Sequence, residues 1–319
     1  MSAPADSAGP ALVVLAGGSL ATIQDHGRVG WGRLGVPRSG PFDRPAFSLA
    51  NRLVGNRTMA AGVEITMGGF AFLAVRSSVV ALTGAVCPIR IDTSRAAGAD
   101  LEEHIGFNTA VRVPAGVSIT LGVPKVGVRT YLSIRGSIAG TVDGDGPVLG
   151  SLATDGLSGL GPRPLISGVG LLLGKPHGPM PGIDVVPAGP MPGSSGPAKV
   201  RILPGPRLEW CADAMSHLAS TPWTVDANSN RIAVRLRGAP VERVCHDELP
   251  PEGLMPGAVQ IPPNGMPVIF GPDHPTTGGY PVVAVVHPDD QWVLAQLRPG
   301  QRLGMGGYPG GGLISNQGR

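Results

Sequence analysis

Four segments of the 319-residue chain set ionisable or hydroxyl side chains among glycines, a pattern that carries functional groups on turns. In Thr22-Ile23-Gln24-Asp25-His26-Gly27-Arg28 an acid, an imidazole and a guanidinium fall within four positions, able to bind an anion or relay a proton. The same letters suit a turn in which Asp25 accepts backbone N–H bonds and pairs with Arg28. Pro37-Arg38-Ser39-Gly40-Pro41-Phe42-Asp43 offers Arg38 and Ser39 to a carboxylate, while Asp43 reads better as the cap of a following helix. In Asp273-His274-Pro275-Thr276-Thr277-Gly278-Gly279-Tyr280-Pro281, adjacent glycines expose N–H groups beside two threonine hydroxyls, a cradle for an oxyanion. A β-bulge or a tight turn at a barrel corner accounts for the same residues. Gly150-Ser151-Leu152-Ala153-Thr154-Asp155 is a fourth, less specific polar loop. Glu64, between Val63 and Ile65, is either a buried acid with a partner or a solvent-facing one.

Several chemistries are excluded by what is missing. There is no G-x-x-x-x-G-K-[ST] phosphate loop, no strand–GxGxxG–helix unit and no G-x-S-x-G elbow. The chain holds only three lysines (Lys125, Lys175, Lys199), none flanked by Met as in a biotin-carrying domain. The three cysteines, Cys87, Cys211 and Cys245, have no C-x-x-C spacing and argue against a disulfide framework or a zinc site. Cys245-His246-Asp247-Glu248 reads as a solvated loop and Asp143-Gly144-Asp145-Gly146 as a turn, so no metal site is expected. A net charge of +3 without a basic, aromatic-laced stripe gives no basis for nucleic-acid binding. The N-terminus shows no basic n-region and no apolar run approaches a membrane span, so a soluble, cytoplasmic protein is expected.

The elements that must position these segments are mainly strands. With 50 Gly and 34 Pro the composition hints at disorder, yet 42% hydrophobic residues fall into short alternating runs split by turns, the mark of an all-β protein. Strands are expected at 11–15, 78–83, 89–92, 117–121, 128–135, 200–203, 231–237, 260–262, 268–270 and 282–286. In the run 231–237, Ile232, Val234 and Leu236 should face inward and Arg231, Ala233, Arg235 and Arg237 outward. Helices are expected over 43–55, with Ala46, Leu49, Ala50 and Leu53 on one face, and over 207–219 and 289–297.

Two phrases also recur in the same order. Gly32–Gly40 matches Gly257–Gly265 as Gly-x-aliphatic-x-aliphatic-Pro-x-(Ser/Asn)-Gly, and Thr66-Met67-Gly68-Gly69-Phe70 is answered by Thr276-Thr277-Gly278-Gly279-Tyr280. Each phrase is expected to be a short strand running into a turn, which predicts a duplicated β-domain with a pocket at or beside the junction. Domains are expected at 11–175 and 199–303, with a Pro/Gly-rich linker at 176–198, a loose leader before residue 11 and a flexible tail at 304–319.

These residues together resemble a known family. Thr22–Arg28, Leu34–Asp43, Leu49–Asn56, Glu64-Ile65-Thr66, Leu82-Thr83-Gly84-Ala85, Ser229-Asn230-Arg231 and Thr276–Pro281 are similar to the AHS2/KipA family, over residues 12–303. Its members are described as carboxyltransferase-domain subdomain A/B proteins, as allophanate hydrolase subunit 2, or as the PxpC component of bacterial ATP-dependent 5-oxoprolinase. The resemblance implies a mainly β fold of two tandem cyclophilin-like β-barrel domains with a few short helices. It implies a KipI/PxpB-like companion subunit (allophanate hydrolase subunit 1) and, for an oxoprolinase, a PxpA-like subunit. The chain departs from the pattern at His274-Pro275, where the family shows Arg-Gln, and at Ser137, where it shows Gly.

The resulting expectation is a hydrolase subunit of a hetero-oligomer that opens 5-oxoproline to glutamate, with ATP bound at the level of the complex. Asp25, Arg28, Thr277 and Tyr280 are the catalytic candidates; Gln24, Arg38, Ser39, Thr276, Gly278 and Gly279 are the substrate-binding ones. Two alternatives use the same scaffold. One is a biotin-dependent carboxyltransferase subunit, with biotin carried on another chain; the other is a non-enzymatic KipA-like antagonist of a kinase inhibitor.

Overall fold

The computed structural model describes residues 9–96, 105–182 and 185–307. Most of the expected leader and residues 308–319 of the expected tail lie outside these. The chain divides into two units, Met1–Ser194 and Ser195–Arg319. Among the described residues the elements are strands and three short α-helices, and no helix is long and apolar enough to cross a membrane.

Unit 1 opens with β1 (Leu12–Gly17) and β2 (Leu20–Gln24), followed by a polar loop and α1 (Arg44–Leu53). Nine strands follow: β3 (Gly62–Thr66), β4 (Phe70–Ala74), β5 (Ser78–Gly84), β6 (Ile89–Asp92), β7 (Ala110–Val113), β8 (Ser118–Leu121), β9 (Arg129–Ile134), β10 (Ile138–Thr141) and β11 (Gly170–Leu173). They form two sheets, of order β10-β11-β1-β4-β8-β6 and β2-β3-β9-β5-β7. Alternate residues from both sheets meet in one core: Leu12, Val14, Phe70 and Phe72 from the first, and Ile23, Val63, Ile65, Leu132 and Ile134 from the second. A segment with a period of two buries one face and leaves the other for solvent or for α1, which packs on β5 and β9.

Unit 2 contains β12 (Ala198–Pro204), α2 (Ala214–Ser220), β13 (Trp223–Val225), β14 (Ala233–Arg237), β15 (Glu252–Gly253), β16 (Ala258–Gln260), β17 (Val268–Phe270), β18 (Thr277–Gly278), β19 (Val282–Val286), α3 (Gln291–Ala295) and β20 (Arg302–Gly307). Seven of its strands close a barrel in the order β12-β19-β16-β17-β14-β13-β20, while β15 and β18 pair as a separate ribbon. Closure removes the exposed edges an open sheet would present. The closing strand includes Gly304–Gly307, which the sequence assigned to a tail. Leu303 and Met305 are buried, and β20 runs parallel to β12 from Ala198↔Leu303 to Ile202↔Gly307. Three glycines in six residues hid that strand from a propensity reading.

Local corrections have similar causes. α1 starts where expected, with Asp43 Oδ1 accepting the Ala46 N–H at 2.9 Å, but its buried face is Phe47, Ala50, Asn51 and Leu53, one position round from the expected stripe. The helix expected over 207–219 breaks into a 3-10 turn at Leu208–Trp210 and α2, because Cys211 is extended and bridges to Arg243 and Asp213 is left-handed. The echoed phrases do not share one conformation. Gly32–Leu34 is a 3-10 turn whereas Ala258–Gln260 is β16; Met67, Gly68 and Gly69 form a left-handed turn between β3 and β4, whereas Thr277–Gly278 is extended in the ribbon. Ser137, at the position of the family's Gly, takes φ 63°, and its hydroxyl donates to the Ala61 carbonyl.

Glu64 is a buried acid with partners. It is 1% exposed and accepts from the Phe42 N–H (2.9 Å), Tyr131 Oη (3.0 Å) and Arg129 Nε (3.2 Å). Tyr131 Oη in turn accepts the Asp43 N–H at 2.8 Å. Burial first, and the carboxylates of Glu64 and Asp43 second, hold the Tyr131 hydroxyl protonated well above the usual tyrosine range. Tyr131→Phe is therefore expected to cost about 1–3 kcal/mol in urea unfolding at neutral pH. The folded-state pKa is raised, so the wild type should lose stability as pH rises past the unfolded-chain value of about 10, and the variant should show a shallower alkaline loss.

Candidate functional site

In unit 1 three of the four polar segments converge, one of them distant in sequence from the other two. Strand β2 delivers Gln24 to its end, and Asp25 turns the chain. Asp25 Oδ1 accepts from the Gly27 N–H (2.9 Å) and from Ser151 Oγ, and Oδ2 accepts from the Leu152 N–H at 2.7 Å. Both oxygens are thus engaged in holding the turn to the loop Ser151–Asp155. Arg28, 1% exposed, donates to the Ala153 carbonyl at 2.7 Å. Ser39 Oγ and Gln24 Nε2 both donate to the Thr154 carbonyl, at 3.1 and 2.9 Å. This geometry makes Asp25 a positioning group: a buried carboxylate whose two oxygens receive three donors is committed to the loop it holds.

Gly27 sits where a side chain would collide. A Cβ there would lie 2.5 Å from the Arg38 carbonyl oxygen, and the adjacent Arg28 N–H donates to that same oxygen at 2.8 Å. The 25–28 turn and the 37–43 loop are thereby laid backbone against backbone. Ser39 follows at φ 56°, a left-handed conformation uncommon for a residue with a Cβ and held here by its neighbours. Arg38 is exposed, its Nε directed to the His26 carbonyl at 3.4 Å. Burial first and the charge of Arg38 second lower the pKa of Arg44, the first residue of α1. Two buried acceptors complete the region: Gln24 Oε1 and Asp155 Oδ2 have no hydrogen-bond donor among the described residues.

Unit 2 is organised by a buried ion pair. Arg231, expected on the outer face of a strand, instead precedes β14 and is 5% exposed. Its Nε and Nη2 donate to the two oxygens of Asp273, each at 2.8 Å, and Asp273 is fully buried. This two-pronged contact fixes the start of the segment that carries Thr276, Thr277 and Tyr280. The Thr-Thr-Gly-Gly stretch is neither a left-handed cradle nor a tight turn. β18 pairs with β15 through Gly253↔Thr277 and Glu252↔Gly278, and neither Gly278 nor Gly279 is left-handed. At Gly278 a Cβ would lie 2.8 Å from Gln260 Nε2, so a side chain there would displace the amide that donates to the Tyr280 carbonyl at the same distance. Thr277, Gly279 and Tyr280 are exposed.

Sequence reasoning passed over the residues that hold these loops: Glu64's partners Arg129 and Tyr131, and the Arg231–Asp273 pair. The available signal was a charged or phenolic residue inside an apolar run, as in Arg129-Thr130-Tyr131-Leu132. Asp25→Ala is expected to destabilise unit 1 by about 2–4 kcal/mol and to speed amide exchange at Leu152 and Ala153, measured by hydrogen–deuterium exchange. Ser151→Ala should have a smaller effect, because Asp25 keeps its two backbone donors.

Comparison with known proteins places this architecture. The chain is 35% identical over 296 residues to the C component of 5-oxoprolinase from Escherichia coli (strain K12), spanning 92% of this chain and 89% of that protein. It is 31% identical over 320 residues to the urea amidolyase of Lachancea kluyveri, spanning 92% of this chain but 17% of that protein. The crystal structure of TTHA0988 superposes with a TM-score of 0.79 at 33% identity over 95% of this chain, which spans 56% of TTHA0988. The family model of the carboxyltransferase domain, subdomain A and B, matches residues 34–305, and the chain belongs to that family.

Proposed function

We propose that this chain is the C-type component of an ATP-dependent 5-oxoprolinase, opening 5-oxoproline to glutamate with a KipI/PxpB-like companion and a PxpA-like subunit. The observation that carries the reading is the matched length: this chain and the C component of the E. coli 5-oxoprolinase each align over most of their residues, 92% and 89%. The urea amidolyase contains the same span as a small part of a longer chain.

The chemistry of unit 1 suits a lactam. A lactam offers one N–H donor and one carbonyl oxygen that gains negative charge as the ring opens. Gln24 Oε1, buried and without a donor among the described residues, suits the N–H. Arg28 and Arg38 supply the cationic donors for the oxygen, Asp25 holds the loop against which they are set, and Ser39 ties its own loop to Thr154. In unit 2, Thr276, Thr277 and Tyr280 are separate hydroxyl candidates, on the same segment as Gly278 and Gly279. The chain lacks a phosphate-binding loop, so ATP is assigned to the complex and no step is routed through it on this chain.

A second reading, a biotin-dependent carboxyltransferase module, is favoured by the family description and by the urea amidolyase match. Assembly with both companion subunits distinguishes them. Glutamate formation dependent on ATP and 5-oxoproline is the expected result, and consumption of carboxybiotin by an intact complex that forms no glutamate would replace it with the second reading. In the active complex, Arg38→Met should lower kcat/KM by about tenfold or more, through loss of a charge-assisted donor, without disturbing assembly.

A further inference from the structure

A second polar region lies wholly in unit 2 and shares only Tyr280 with the candidate residues above. A cleft of about 410 Å³ opens beside β14. Its polar lining consists of Arg235, Arg237, Asn228, Asn264, Tyr280 and Asp226, and the rest of its wall is apolar. Arg235 and Arg237 are two apart on one strand, so both side chains leave the same face of β14. Arg235 also lines a neighbouring, more open cleft with Asn228, which sets its guanidinium between two spaces.

The charges in this cleft do not cancel. Arg237 Nε pairs with Asp226, whose carboxyl is held below the usual range first by the Asn228 N–H and then by Arg237. That pair is neutral as a unit. Arg235 makes no ion pair among the described residues, so the cleft keeps one net positive charge. Its other side-chain groups add amide and phenol donors. The surrounding backbone is firmly built: the Arg235 N–H donates to Ser229 Oγ at 3.0 Å, the residue pairs with Val268 of β17, and Asn264 Oδ1 accepts the Met266 N–H at 3.0 Å. A guanidinium on a barrel strand, beside an aromatic ring and over an apolar floor, suits a small planar oxyanion carried on an apolar body.

We propose that this cleft is a binding site for a small carboxylate, anchored by the Arg235 guanidinium with Tyr280 and the two asparagines around it. The site stands on unit 2 alone and does not depend on the oxoprolinase reading.

The test uses the full chain and cyclopentanecarboxylate, an acid with no lactam to open, followed by titration calorimetry and by NMR of the arginine side chains. Saturable binding is expected, with Arg235→Met weakening it about tenfold or more and Arg235→Lys weakening it less, because the charge remains but the fork is lost. Cyclopentanecarboxamide, the neutral analogue, should not bind. Inorganic phosphate distinguishes the carboxylate from a general anion: tighter binding of phosphate at Arg235 would overturn the carboxylate assignment. Equal binding of acid and amide, or unaltered binding by Arg235→Met at an unchanged melting temperature, would overturn the site. Arg235-dependent binding in a chain whose assembled complex forms no glutamate would leave this site standing and reject the oxoprolinase reading. Glutamate formation together with Arg235-independent binding would do the reverse.

Discussion

Asp25, Glu64 and Asp273 are buried carboxylates, and each receives its donors from a different stretch of chain. Asp25 gathers a hydroxyl and two backbone N–H groups, Glu64 a guanidinium, a phenol and a backbone N–H, and Asp273 both prongs of Arg231. A carboxylate taken out of water is tolerable only when its lone pairs are filled, so each of these sites has an exacting geometry. The polar loops of both units are tied to the sheets by that requirement. Removing the carboxylate or all of its donors would leave an uncompensated polar group in an apolar surrounding, and this keeps the loop positions stiff.

The arrangement separates acids that build from bases that are left to bind. The acids are buried and occupied, whereas Arg38 and Arg235 are exposed. A chain with 25 basic residues and only three lysines is suited to this, because a guanidinium offers several directional donors and stays charged.

Much of the strand framework was legible. Val268–Phe270 and Val282–Val286 are strands at the residues expected, because β-branched runs between turn residues leave little alternative. Asp43 as a helix cap was equally clear, since Asp followed by Pro two positions on fits a helix start. Other elements were obscured. β20 is written with glycines, β2 runs directly into the polar turn Asp25-His26-Gly27, and the echoed Thr-x-Gly-Gly phrases adopt different backbones because a neighbouring strand, not the phrase, sets their φ angles.

By itself the sequence determined the mainly β class, the short helices, the position of the polar segments along the chain and the family. The class, the helices and the placement of the polar segments follow from residue periodicity and turn chemistry, which are local; the family follows from the resemblance of the motifs. Only the tertiary structure decided what each polar residue does. It brought Ser151–Thr154 against Asp25 across 126 positions, buried Arg231 on Asp273 across 42, and left Arg235 facing a cleft. A charged side chain's role depends on whether its partner is water or another buried group, and that partner is chosen by strand register and barrel closure.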